Sequence, residues 1–333
     1  MYKLSAMSGM NSCKSTMLAD KSKLVSASYT SVKIQSRSRK RFVYVQTKCG
    51  FADIVKIFTT CLRLSQLCER TFVIDTRFGC YGIDVLKQFR LRGISRSRII
   101  STALEGVHQI LQMSRNKSVV PKCISWSRFV QYTKGAVKLD SGIMDKPSRQ
   151  LLRFKEMTPF ILDKECEADV IFVADWGNAP NFQVTLRHIE PIPHIIDLYK
   201  SRRDKLPERY ASIHVRHTDI KSDIEELWRN IRSDIEPWKF GVFVATDNES
   251  VLDFFRSKGL VVHNFTKYGS EAGKALHLEK SISGLRTLSD AVIDLLLIRD
   301  SRVLFSNSKG GFNMLARSLQ SGNSNFWVSW THF

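Results

Sequence analysis

Two hydrophobic periods alternate along this chain, and their order specifies a fold class. Arg41–Thr47 (RFVYVQT) is β-branched and aromatic and predicts a strand. A turn at Cys49–Gly50–Phe51 follows it. Between Ala52 and Glu69 the apolar residues Ile54, Val55, Phe58, Cys61, Leu62, Leu64 and Leu67 recur at helical spacing, so this stretch predicts a helix packed along one face. Thr71–Asp75 (TFVID) reads as a second strand. Strand, helix and strand in that order imply a parallel pair. From Leu86 to about Pro159 the signals are short and mixed. Asp169–Ala174 (DVIFVA) then reads as a buried strand and Trp176–Pro180 as a loop.

Pro191–Ile192–Pro193 marks a boundary, and a helix is expected from His194 to about Leu206. Beyond it the alternation is regular. Strand Tyr210–Arg216 precedes helix Ser222–Ile235, and strand Phe240–Ala245 precedes helix Glu249–Ser257. Strand Leu260–Phe265 precedes a longer helix, Ile282–Arg299, and strand Val303–Ser306 precedes helix Phe312–Leu319. The expectation is an α/β protein with a basic N-terminal arm (1–40), an N-terminal α/β domain (41–188) and a second doubly wound domain (189–333).

Charge adds a preference for anions. The 333 residues carry a formal net charge of +19, which favours phosphorylated or otherwise acidic partners. Within residues 1–40, Asp20 is the only acid beside eight Lys and Arg, in a Ser-rich stretch with no long apolar period. This composition fits a solvated basic arm, or alternatively an organelle transit peptide. No helix-turn-helix, zinc-finger or RNA-recognition pattern accompanies the charge, so nucleic acid is not expected as a partner. The seven cysteines (Cys13, Cys49, Cys61, Cys68, Cys80, Cys123 and Cys166) are odd in number and lack zinc-site spacing, which fits a reducing compartment. No apolar run is long enough to span a bilayer, and no secretory signal pattern is present. A cytoplasmic location is expected, or an organellar one if residues 1–40 are a transit peptide.

The ends of the C-terminal strands carry the chemistry. In open α/β sheets, ligands bind beyond the carboxyl ends of the strands. In Ile213–Asp219 (IHVRHTD), side chains alternate, so Ile213 and Val215 share one face and His214 and Arg216 the other. Arg216 can grip a diphosphate with its guanidinium fork, or serve a structural ion pair. His217 can simply be solvated. Phe243–Asn248 (FVATDN) ends a buried strand on a carboxylate, so Asp247 and Asn248 either face a ligand or cap the next helix. Asp294 lies on the apolar side of its helix, beside Ala291, Leu297 and Ile298, and needs a partner. The paired N–H donors of guanine would suit it. Ser306–Gly311 (SNSKGG) enters a helix and can present backbone N–H groups to phosphate, although it is not a Walker motif. Gly50 and Phe51, before Ala52 and Asp53, form a similar but weaker turn in the N-terminal half, equally readable as a plain tight turn.

The order and spacing of these groups, from about Ile189 to Gln320, resemble the α1,6-fucosyltransferase family with its bacterial nodulation-type branch. The protein O-fucosyltransferases are resembled more loosely. His214–Asp219 matches the family's first motif, Val244–Asn248 its second, and Asp290–Ser308 its third, with Asp294 and Ser306–Ser308 at the expected separation. Gly50 to Asp75 is similar to the family's opening glycine turn, helix and strand. The resemblance implies a GT-B-like fold, two Rossmann-like domains facing a cleft, with GDP-fucose as donor, inversion at the anomeric carbon and no metal or other cofactor. It implies that Arg216 binds the β-phosphate and that His214 and Asp294 contact guanosine. Asp247, Asn248, Ser306, Ser308, Gly50 and Phe51 would line the donor site. Asp219 joins Arg216 as a catalytic candidate. The family's acceptor base falls a few residues after the first motif, where Asp223, Glu225 or Glu226 could fill the role, Glu225 being carried forward here. The implied acceptor is an oligosaccharide containing N-acetylglucosamine. This chain departs from animal members at His217, which replaces a second arginine, and at Lys309–Gly311, which replaces a more Ser-rich loop.

Overall fold

The computed structural model describes residues 40–320 except 48–49, 68, 92–98, 101–102, 114–117, 121–124, 135–167, 176–185, 187, 220, 270–275 and 277–280. The loop expected at Trp176–Pro180, the basic arm up to Arg39 and five of the seven cysteines lie outside the described residues. Cys61 and Cys80 are described, the first buried and the second half-buried.

The predicted opening is observed. Strand β1 (Phe42–Thr47), helix α1 (Phe51–Leu67) and strand β2 (Thr71–Asp75) form the expected unit, with β1 and β2 parallel. Alternation along β1 splits its side chains between two cores. Val43 and Val45 pack toward α1, with Ile54, Val55 and Phe58, while Phe42 and Tyr44 pack on the opposite face. That second face is covered by α2 (Ala103–Leu111) and α3 (Trp126–Thr133), and Tyr44 meets the Phe129 ring edge-on at 5.2 Å. The sheet is completed by β4 (Ile99–Ile100), β5 (Val119–Val120) and β6 (Val170–Asp175) in the order β4-β2-β1-β6-β5, all parallel. β4 and β5 are two-residue edge strands, too short for a period to announce them.

A short antiparallel pair, β3 (Phe89–Leu91) with β7 (Ile189–Pro191), joins the two halves where the sequence suggests a boundary. Pro191 can sit there because, among the described residues, the strand has no neighbour on its other side.

Helix α4 (Pro193–Arg203) then leads into a second sheet, β8 (Ala211–Val215), β9 (Val242–Thr246), β10 (Val262–His263) and β11 (Leu304–Phe305). Its order is β10-β9-β8-β11, again parallel. Helices α5 (Ile224–Ile235) and α6 (Ser250–Ser257) cover one face. Helices α7 (Gly284–Asp300) and α8 (Gly311–Gln320), with α4, cover the other. The observed bounds lie within a few residues of those predicted, except that β10 and β11 have two residues each. A strand order that runs outward from β8 in both directions opens a crevice between the carboxyl ends of β8 and β11.

Helix α7 is buried on nearly all sides, from Thr287 to Ile298 apart from Ala291, as expected of a helix inside a core. Its N-terminus touches the other half of the chain. A Cβ on Gly284 would fall 1.7 Å from the Tyr81 carbonyl oxygen, so only glycine allows this approach. One apolar core runs from β1 and α1 through α4 and α7 to α8, and the described residues from Lys40 on belong to one compact unit.

Candidate functional site

The crevice beyond β8 and β11 is a cavity of about 390 Å³, a size suited to a small organic ligand. Its walls come from both halves. Gly50–Asp53 and Tyr81 line it from one side, and Arg216, Asp247, Thr266 and Asp294 are among those lining it from the other.

Strand β8 delivers its polar residues as alternation requires. Ile213 and Val215 are buried against α5 and α6, which turns His214 to the opposite face. The His214 ring lies 4.9 Å from the Phe312 ring, and Nδ1 is 3.4 Å from Ser306 Oγ. Burial holds the imidazole well down, at about 4; a hydrogen bond with Asn313 opposes this, and Arg216 and Arg317 add to it. His214 is therefore neutral at ordinary pH and offers a polar edge rather than a charge.

Arg216 stands just past the strand end, at the mouth of the cavity. Its Nε donates to Asp219 Oδ1 at 2.8 Å and its Nη2 to Asp219 Oδ2 at 2.5 Å. Both side chains keep solvent contact, at 25% and 42% exposure, so this is a local positioning pair rather than a buried lock. Nη1 is left on the side of Gly310, where an added Cβ would stand 3.5 Å away. Asp219 itself does not line the cavity; its role in this structure is to aim the guanidinium.

The remaining motif residues tie the three strand ends together. Ser308 Oγ accepts from Arg216 N at 2.9 Å and shares a 2.9 Å hydrogen bond with Ser222 Oγ. Asp247 accepts from His217 N at 2.7 Å and from Thr218 Oγ1 at 2.5 Å. Asn248 Nδ2 donates to His217 O at 3.3 Å, and its Oδ1 accepts from Ser250 N at 3.0 Å. Ser306 Oγ accepts from Ser308 N at 3.1 Å. Of these four, only Asp247 also lines the cavity. Ser306, Ser308 and Asn248 shape the loops that present Arg216.

The acids after the first motif point elsewhere. Asp223 caps α5, accepting from Glu226 N at 2.8 Å. Glu225 is exposed on α5 and faces Lys258 of α6 at 3.8 Å. Asp223, Glu225 and Glu226 do not line the cavity.

Asp294, on the buried helix α7, also lines the cavity. One carboxylate oxygen, Oδ2, accepts from Thr266 Oγ1 at 3.3 Å. The other, Oδ1, is buried without a hydrogen-bond partner. Burial, and next the charge of Asp290, push this carboxyl up to about 7, while Arg202 and Thr266 act against the rise. Asp290, one turn earlier, is satisfied instead, by Arg202 at 2.5 Å and Arg286 at 3.0 Å. An unpartnered acceptor on a cavity wall is costly unless a ligand completes it.

Two helix N-termini from opposite halves meet beside Arg216. Helix α8 starts at Gly311, and a Cβ there would come within 3.2 Å of Ala52 Cβ and of Asp53 Oδ1 in the first turn of α1. The glycine allows both helices to bring their positive ends to one place, a favourable position for phosphate. Lys267, after β10, adds a second cation to the lining. Sequence reasoning missed Tyr81, Thr266, Lys267 and Phe312. For Thr266 and Lys267 the signal was present, since they follow a predicted parallel strand. For Tyr81 there was none. Among the described residues no group of three or more His, Cys, Asp and Glu could hold a metal ion, and no helix is long and apolar enough to cross a membrane.

No protein-family model matches the sequence, and neither does any curated protein. Solved structures do match. NodZ alpha-1,6-fucosyltransferase soaked with GDP-fucose superposes with a TM-score of 0.61 at 19% identity, over 84% of this chain and 92% of that one. A selenomethionine form of fucosyltransferase NodZ from Bradyrhizobium gives 0.60 at 20% identity, over 85% and 93%. A mutant of Arabidopsis thaliana FUT1 in complex with GDP gives 0.50 at 11% identity, over 84% and 68%. At these identities the likeness establishes the fold, and the fold is the expected one: GT-B-like, α/β, two parallel sheets facing a cleft.

Proposed function

We propose that this protein is a glycosyltransferase that moves fucose from GDP-fucose to an oligosaccharide acceptor. The N-terminal half (41–188) offers the acceptor side and the C-terminal half (189–333) holds the donor. The observation that carries the reading is that one cavity is lined both by Asp294, whose buried Oδ1 is unpartnered, and by Arg216. A guanine edge presents two adjacent N–H donors to one carboxylate. Uracil offers a single N–H between carbonyls, and adenine sets its amino group beside an acceptor. A site built to complete such hydrogen bonds rejects bases that lack them. The solved structures that share this fold and bind GDP or GDP-fucose support the same choice.

The chemistry follows from the placement of charge. As the bond between the sugar and the β-phosphate breaks, negative charge grows on the departing diphosphate. Arg216, held by Asp219, stabilises that charge together with the N-termini of α1 and α8. His214, neutral and packed against the tilted Phe312 ring, lies alongside the nucleotide. These groups supply the stabilisation that a metal provides in other transferases, so transfer proceeds without one. Attack from the face opposite GDP inverts the anomeric carbon and places the acceptor toward the N-terminal half. By family resemblance, the acceptor contains N-acetylglucosamine.

The test is a thermal-shift panel of GDP, GDP-fucose, ADP and UDP, with and without EDTA. A ligand at a hundred times its Kd adds about 2.7 kcal/mol of stability, enough to shift the transition clearly. Stabilisation by the guanine nucleotides alone, unchanged by EDTA, is expected. Preferential stabilisation by UDP with manganese contradicts the reading.

A further inference from the structure

We infer that Asp53 is the group that takes the proton from the acceptor hydroxyl. This rests on the transferase reading above and assigns a role that reading leaves open. Four carboxylates line the cavity: Asp53, Asp247, Asp290 and Asp294. Three of them stand on the donor side and are otherwise engaged. Asp247 holds the loop after β8, Asp290 is paired with two arginines, and Asp294, buried on α7 beside Thr266, is assigned to the nucleotide base.

Asp53 stands apart in its position, and only one of its oxygens is engaged. It is contributed by the opposite half, from the first turn of α1, where the helix N-terminus favours a carboxylate. Its side chain is 30% exposed, and its one bonded contact is Oδ1 to Lys56 Nζ at 3.2 Å. Oδ2 has no partner within the described residues. The Gly310–Gly311 pair fixes its distance from the leaving group: position 310 abuts the Arg216 guanidinium and position 311 abuts the Asp53 carboxylate. The two side chains therefore flank one dipeptide, with the diphosphate grip on one side and a carboxylate on the other.

The balance is as follows. The acceptor oxygen bonds to the anomeric carbon as the carbon–oxygen bond to the β-phosphate breaks. The bonding pair leaves with GDP, and the hydroxyl proton passes to Asp53.

Water and azide separate a base from a structural carboxylate, because water must lose a proton on attack and azide has none. Wild type, Asp53→Ala and Asp53→Asn are compared for GDP release from GDP-fucose and for GDP binding. GDP binding should be retained in both variants, and release to water should fall by about 100-fold or more. Sodium azide should restore release in Asp53→Ala and yield fucosyl azide of inverted configuration. Hydrolysis at the wild-type rate in Asp53→Asn overturns the assignment, as does failure of azide to restore release in a variant that still binds GDP. A wild-type protein that neither binds GDP nor releases it from GDP-fucose overturns the transferase reading itself and the inference with it.

Discussion

Arg216 and Asp219 form a bidentate pair at the lip of the cavity, through Nε and Nη2, that leaves the third guanidinium nitrogen, Nη1, on the side of Gly310. The geometry makes arginine irreplaceable by lysine, whose single ammonium cannot hold Asp219 and a phosphate together. Loss of one preorganised charge-stabilising donor typically costs on the order of 100- to 1000-fold in rate. Arg216→Ala and Arg216→Lys are both expected to lose at least that much turnover with GDP-fucose while melting near the wild-type temperature. Asp219→Asn should lose less, because the guanidinium stays but is no longer aimed. Turnover of the three variants, with a melting curve for each, checks the order.

Asp294 gives the site a pH dependence. Its carboxyl is pushed up to about 7 from 3.8, so a large share is protonated near neutrality. On the proposed reading, the protonated form would lose acceptor capacity toward guanine N–H groups. Affinity for a GDP-sugar, whose diester phosphates do not titrate near neutrality, should rise with pH between about 6 and 8, and Asp294→Asn should flatten the curve. Linkage runs the opposite way for the free protein. A folded-state value above the unfolded one adds stability that is full below about 4 and lost as pH rises through about 7. Binding and unfolding titrations over the same pH range test both slopes.

How far the site could be read from sequence depended on what kind of neighbour each residue has. Arg216 and Asp294 were legible because a charge in an apolar strand or helix demands an explanation within its own element. Ser308 and Asn248 were legible as polar groups at strand ends. Their work of fastening three loops to one another is visible only once β8, β9 and β11 lie side by side. Asp53 stood near a helix start, and nothing local revealed that Gly311, more than 250 positions later, would lie against it. The fold showed the same division. Long periodic segments such as α1 and α7 were clear, whereas β4 and β5, two residues each at sheet edges, carry no period to find.

Gly284 supplies a test of how the halves are joined. A side chain there meets the Tyr81 carbonyl, a backbone atom that cannot turn aside. Gly284→Ala should cost about 1–3 kcal/mol and lower the melting temperature. Leu285→Ala, at an exposed neighbouring position, should leave it unchanged. Thermal melts of the two variants decide this.

Ser308→Ala should separate scaffold from contact. It removes the acceptor for Arg216 N and the partner of Ser222 Oγ. A buried N–H left unsatisfied costs about 1–3 kcal/mol. Melting temperature should therefore fall and turnover with it, while Thr or Cys at the same position restores stability only in the hydroxyl case.

On the reading proposed above, Arg216 meets the diphosphate and nothing else of the nucleotide. Calorimetric titration of guanosine and of GDP into the wild type and Arg216→Ala addresses it directly. A charge-assisted hydrogen bond of about 1.5–3 kcal/mol predicts GDP affinity lower by at least about tenfold in the variant, with guanosine affinity unchanged. Equal losses for both ligands, or no loss for either, contradict the account.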